Sequence, residues 1–234
     1  MKLFLFTSLS FICTVVTTLA QSGQVPAAPL EAIPAAQPSA PHATSPNLDP
    51  FDEPLIKQIR YRHEKAVNGD TKETKDLTSD LEKWTKEQPT NYLLQAYLGS
   101  VYTLDSRDAW PGPGKLTYLK NGGKLMDDAV AAAPDNPAVR FVRAIDYYML
   151  PFFFGKGKTA RDDFVILLKQ IDGTTKTPYV LNIETQQGIY LYAGLSLKKM
   201  SQPSDAKAAW VRGLALDPNS ALAAQIKTEL GKMR

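Results

Sequence analysis

Few residues of this 234-residue chain could do chemistry. The two histidines, His42 and His63, are distant in sequence, and the single cysteine is Cys13. A transition-metal site draws on several His, Cys or carboxylate ligands brought together. This inventory argues against one, and no metal or other cofactor is expected. A Ser-His-Asp triad would have to use His63, and no Gly-x-Ser-x-Gly turn accompanies it. Gly157-Lys158-Thr159 resembles the end of a phosphate-binding loop. That loop needs a glycine five residues before Gly157, after a buried strand. Phe152 stands there instead, and the segment before it reads as helix. The acidic pairs Asp127-Asp128 and Asp162-Asp163 read as solvated helix faces or helix-start charges, not acid/base dyads. Arg140 and Arg143 share one helix and can pair with Asp146 or Asp128. The expectation is a non-catalytic protein. A cluster of buried, mutually close carboxylates near those arginines would reopen the enzymatic reading.

The rest of the chain is organised to hold helices, not reactive groups. Met1-Lys2 is a short basic start, Leu3 to Leu19 is apolar, and Thr18-Leu19-Ala20 offers small residues at a peptidase site. Residues 1–20 read as a secretory signal cleaved after Ala20, which implies an exported, periplasmic or secreted protein. The alternative is a retained anchor, though a run of about 17 residues diluted by hydroxyls is short for a bilayer. Cys13 lies inside this segment, and Ile12 is too bulky for a lipoprotein cleavage site. The mature chain would need no disulfide. Lys and Arg number 27 against 24 acidic residues. That balance is too mild to imply nucleic acid. No later stretch is apolar for long enough to span a membrane. Residues 21–50 change character: seven prolines and seven alanines fall between Ser22 and Pro50. Proline at this density disfavours helix and favours extended chain, so the segment reads as a disordered linker. A proline-rich ligand for another module is the alternative, but no basic residue flanks the prolines.

Residues 51–234 read as all-α. Pro54 can open a helix that ends at Asn68-Gly69-Asp70, and Thr71 or Thr74 the next, closed by Gln88-Pro89. Leu98-Gly99-x2-Tyr102 and Ala144-x2-Tyr147 start later pairs, whose second helices hold Ala129-Val130 and Ala160-x3-Phe164. A glycine inside a helix costs up to ~1 kcal/mol, so Gly99 implies a neighbouring helix packed against it. The clearest unit is Tyr190 to Pro218, hinged at Ser201-Gln202-Pro203. Ala193, Gly194, Ala206 and Gly213 permit close approach, and Tyr190, Leu197, Trp210 and Leu214 fill between. This spacing resembles the tetratricopeptide repeat, a helix–turn–helix unit of about 34 residues. Its departures are Ala193 where the family usually has Leu, and Leu197 where it usually has Tyr. The resemblance implies an α–α superhelix of about four helix pairs. After Pro218, Asn219 or Ser220 can start a capping helix carrying Leu222, Ile226 and Leu230.

The resemblance also implies where a partner would bind: the concave groove lined by successive first helices. Carried over, it gives Leu93, Ala96 and Ser100, then Phe141, Ile145 and Tyr148, then Leu191 and Leu195. Relatives that clamp a peptide carboxylate use Lys and Asn in these places. Ala96, Ser100, Phe141 and Ile145 stand here, which suits an apolar peptide or partner helix instead. Loops covering this face, leaving it as core, are the alternative. Gly99 to Pro134 exceeds Gly194 to Pro218 by 11 residues, which places a long hinge within Asp105 to Tyr118. A smaller hinge insertion falls in Met149 to Lys158, and a further loop, Asp172 to Pro178, precedes a helix that can start near Pro178. Trp110 and Phe152, Phe153 and Phe154 sit in the hinges, either as contact anchors or folded back over their own helix pair. The expected function is an interaction scaffold in the cell envelope. The alternative is a small-molecule or lipid-binding accessory protein with an aromatic-lined cavity under the two insertions.

Overall fold

The computed structural model describes residues 48–108 and 113–233. The signal-like segment, the linker as far as residue 47, and Trp110 lie outside the described residues. Among the described residues there are nine α-helices and no strand. They are α1 (Pro54–Val67), α2 (Thr71–Glu87), α3 (Tyr92–Asp108), α4 (Pro113–Ala132), α5 (Pro137–Met149), α6 (Gly157–Ile171), α7 (Ile183–Lys199), α8 (Pro203–Leu216) and α9 (Ala221–Gly231). Single 3-10 turns form at Pro50–Asp52 and Phe152–Phe154. No described helix is long and apolar enough to cross a membrane.

Local chemistry sets the helix starts. The first four N–H groups of a helix lack internal acceptors, and short polar side chains supply them. Asp70 accepts from Glu73 N–H, Asn136 from Ala138 and Val139, Asn182 from Thr185, and Ser220 from Ala223. Pro54, Pro137 and Pro203 occupy the first turn, where a missing N–H costs nothing.

Each helix packs on the next, and α1, α3, α5, α7 and α9 also pack in succession. The apolar core is a row of clusters along this stack. Phe141 bridges the cluster holding Ile56, Leu77, Leu94 and Val139 to the one holding Phe164, Leu181 and Tyr192. Leu168, Ile171 and Leu195 bridge the latter to the cluster around Trp210, Leu197 and Ile226.

Two close approaches use the expected small residues. A Cβ on Gly99 would lie 2.6 Å from the Gly122 carbonyl, and one on Gly122 would lie 2.4 Å from the Gly99 carbonyl. The α3 and α4 backbones therefore touch, and neither can retreat without parting the pair. At Gly194 a Cβ would lie 2.1 Å from Trp210 Nε1. The indole lies in that notch and donates to the Leu191 carbonyl at 3.0 Å.

Three expectations are corrected. The hinge between α3 and α4 is short, because most of the extra residues extend the two helices: α3 runs to Asp108 and α4 begins at Pro113. Pro113 opens the helix where the Pro-Gly run suggested a loop. The helix expected near Pro178 starts at Ile183, because Asn182 is its cap and is held by Asp49 and Asp52. The folded body also begins before residue 51, since Asp49 and Pro50 are buried.

Candidate functional site

The first-helix face is built by α3, α5 and α7. Leu93, Ala96, Ser100 and Leu191 are buried there and shape the floor beneath it. Phe141, Ile145, Tyr148 and Leu195 are half-buried and form its accessible part. Edge-on ring contacts run Phe51–Phe141 at 6.1 Å, Phe141–Tyr192 at 6.3 Å and Tyr192–Tyr148 at 6.4 Å. Lys199 closes one end, with Nζ 4.8 Å from the Tyr148 ring centre and donating to the Tyr148 carbonyl.

Phe51 reaches this face from the end of the proline-rich segment. Its ring is buried against Phe141 and lies under the Arg60 guanidinium at 5.1 Å. The turn is tied down by carboxylates. Asp49 accepts from Phe51 N–H at 2.9 Å and from Asn182 N–H at 3.0 Å, while Asp52 accepts from the Asn182 side-chain amide at 3.2 Å. The hydrogen bond of Lys57, and after it that of Asn182, hold Asp52 below the usual carboxylate range. The N-terminal turn is thus strapped to the residue that starts α7.

The aromatics of the α5–α6 hinge are exposed. Phe152, Phe153 and Phe154 are 86%, 63% and 36% accessible, so they do not fold back as core. Beside them an open cleft of about 530 Å³ lies between α4 and the α5–α6 hinge. One wall is a stripe of α4: Leu116, Leu119, Lys120, Gly123, Lys124 and Asp127. The other is Tyr147, Leu150, Phe154 and Lys156. Lys156 Nζ donates to Asp127 at 3.2 Å and to the Tyr147 hydroxyl at 3.1 Å, and Tyr147 donates to the Gly123 carbonyl at 3.0 Å. Behind the cleft, Arg143 binds Asp163 through two nitrogens at 2.8 and 2.7 Å and reaches Asp127 at 3.1 Å. Arg140 binds the same Asp163 at 2.8 Å. The arginines therefore pair with Asp163 and Asp127, not with Asp146 or Asp128. Asp163 is a buried ion clamped by two guanidiniums, while Asp128 and Asp162 stay on solvated faces beside Lys124 and Lys158.

A second polar group lies inside the stack. His63 Nε2 is 2.8 Å from Ser100 Oγ, and Thr103 Oγ1 is 3.0 Å from both oxygens of Asp146. Ser100 lies near enough to Asp146 to lower its carboxyl against the effect of burial. The residue types match a triad but the order does not, because serine sits between histidine and aspartate. In a triad the carboxylate orients the imidazole, whereas here Asp146 lies near the serine, and the His63 tautomer decides which of His63 and Ser100 donates. Burial drives both titratable groups toward neutrality: His63 is lowered to about 4 and Asp146 raised to about 7.

Sequence reasoning missed Phe51, the cleft residues of α4, and the His63–Ser100–Asp146 group. Only the Asp-Pro-Phe-Asp run before Pro54 hinted at a turn in the first. The others depend on which helix faces meet. No protein-family model matches this chain, and no curated protein sequence matches it significantly.

Proposed function

We propose that this protein is an exported, non-catalytic interaction module: a tetratricopeptide-like superhelix whose first-helix face receives a peptide or partner helix. The order of helix contacts supports the superhelix, since each pair stacks on the next and successive first helices touch. The leader-like pattern of residues 1–20 and the proline-rich stretch after it support export and display on a tether. The observation that carries the binding reading is Phe51. A residue from a proline-flanked 3-10 turn seats its ring on Phe141, with Asp49 and Asp52 fixing the backbone beside it. This face already takes an apolar side chain from a segment outside the helical stack. Beyond Phe51 the half-buried Ile145, Tyr148 and Leu195 continue the same apolar strip.

The test is affinity capture from the envelope fraction of the native cell with the tagged mature chain, run beside Ile145→Glu and Tyr148→Asp variants. The expected result is a partner retained by the wild type and lost from both variants while their melting temperatures stay close to wild type. Capture that is indifferent to both charges would contradict the reading.

A further inference from the structure

We propose that the cleft between α4 and the α5–α6 hinge binds a single-chain amphiphile with an anionic head, its tail on the leucines and its head at the lysines. The proposal is independent of the groove reading, because the site lies at the hinge edge of the stack and uses none of the groove residues. Size comes first. The cleft holds about 530 Å³, inside the range of about 300–1,000 Å³ usual for small-molecule sites.

The walls sort by chemistry. Leu116 and Leu119 on α4 face Leu150 and Phe154 on the hinge, and Leu116 is 64% exposed. Exposed apolar side chains gathered at a concavity mark a contact for apolar matter. Further along the same stripe come Lys120 and Lys124, with Lys156 opposite. The one acid in the lining, Asp127, is already paired to Arg143 at 3.1 Å and Lys156 at 3.2 Å, so it offers little to a cation. Among the described residues Lys124 pairs with Asp128, an exposed one-turn pair that can open at little cost. The cleft is therefore apolar at one end and cationic at the other, which complements an anion on an alkyl chain.

The full chain is titrated with cis-parinaric acid, whose fluorescence rises in an apolar site. Decanoate, decyl sulfate, decanol and decyltrimethylammonium then compete. Decanoate and decyl sulfate are expected to displace the probe, and decanol to need about tenfold more or beyond, the worth of a charge-assisted contact. Leu119→Asp and the double variant Lys120→Glu/Lys124→Glu should each weaken probe binding about tenfold. The second pair is exposed, so its loss of binding is not a loss of folding. Reversal of Lys207 and Lys227 on other surfaces should leave binding unchanged. No fluorescence rise, equal displacement by decanol and decanoate, or the same loss from the Lys207/Lys227 reversal would overturn the proposal.

Discussion

At the scale of residues, the buried His63–Ser100–Asp146 group makes an unusual statement about pH. Asp146 is raised from 3.8 to about 7, so the folded state keeps a proton that the unfolded state releases. Its contribution to stability falls as pH rises across that window. His63 is lowered from 6.5 to about 4, so the unfolded state binds the extra proton. Its contribution is present above pH 6.5 and is lost as pH falls toward about 4. The two slopes oppose each other over nearly the same interval. Relative to wild type, Asp146→Asn should gain melting temperature as pH rises from 4 to 7, and His63→Gln should gain it as pH falls through the same range. Thermal melts in matched buffers check this, and parallel curves for all three proteins would contradict it. None of this pairing was legible in the sequence. His63 is spaced from Leu55, Ile59 and Ala66 as one helix face requires, but its partners come 37 residues later from α3, and Asp146 from α5. The Asp162-Asp163 pair failed for the same reason. The two residues look alike in sequence, and only the Arg140 and Arg143 face of α5 decides that Asp163 is the buried one.

At the scale of elements, much more could be read. Caps and first-turn prolines marked the starts of α1, α2, α8 and α9, because those signals are local. Gly99 and Gly194 were legible as close-approach points, since a helix does not tolerate glycine without a packing reason. Their partners were not: Gly122 lies past the hinge placed within Asp105 to Tyr118, and no local signal shows which helix face it meets. The helix α4 therefore carries its own control. Gly122 touches the α3 backbone, whereas a Cβ on Gly114 would meet nothing within 4 Å. Gly122→Ala should lower the melting temperature by several degrees, a core-strain effect of about 1–3 kcal/mol. Gly114→Ala should be neutral or raise it slightly, by up to ~1 kcal/mol of helix propensity. Differential scanning calorimetry of both variants reads the two signs. A shift of the same sign in both would mean the α3–α4 crossing is not set by the glycine contact.

At the scale of the whole molecule, stability is spread along a row of neighbouring clusters, and long-range ties are few. The N-terminal turn is the exception. Asp49 and Asn182 are 133 residues apart yet share a hydrogen bond of 3.0 Å. No periodicity could announce that contact, and the proline-rich composition before it argued for a linker running through Pro50. Phe51→Ala should release the strap. The Asn182 amide should then exchange hydrogen faster, while α8 and α9 amides keep their protection. Exchange at Asn182 that does not change would mean that Asp49 alone holds the turn.

The central claim is that the face carrying Phe141, Ile145, Tyr148 and Leu195 meets a partner. Photo-cross-linking tests it most directly, with p-benzoylphenylalanine placed at Tyr148 on that face and, in a separate protein, at the exposed Val211 on α8. The account predicts a discrete cross-linked partner from position 148 and none from position 211. Equal cross-linking from both positions, or none from 148 in extracts where the partner is captured, would contradict it.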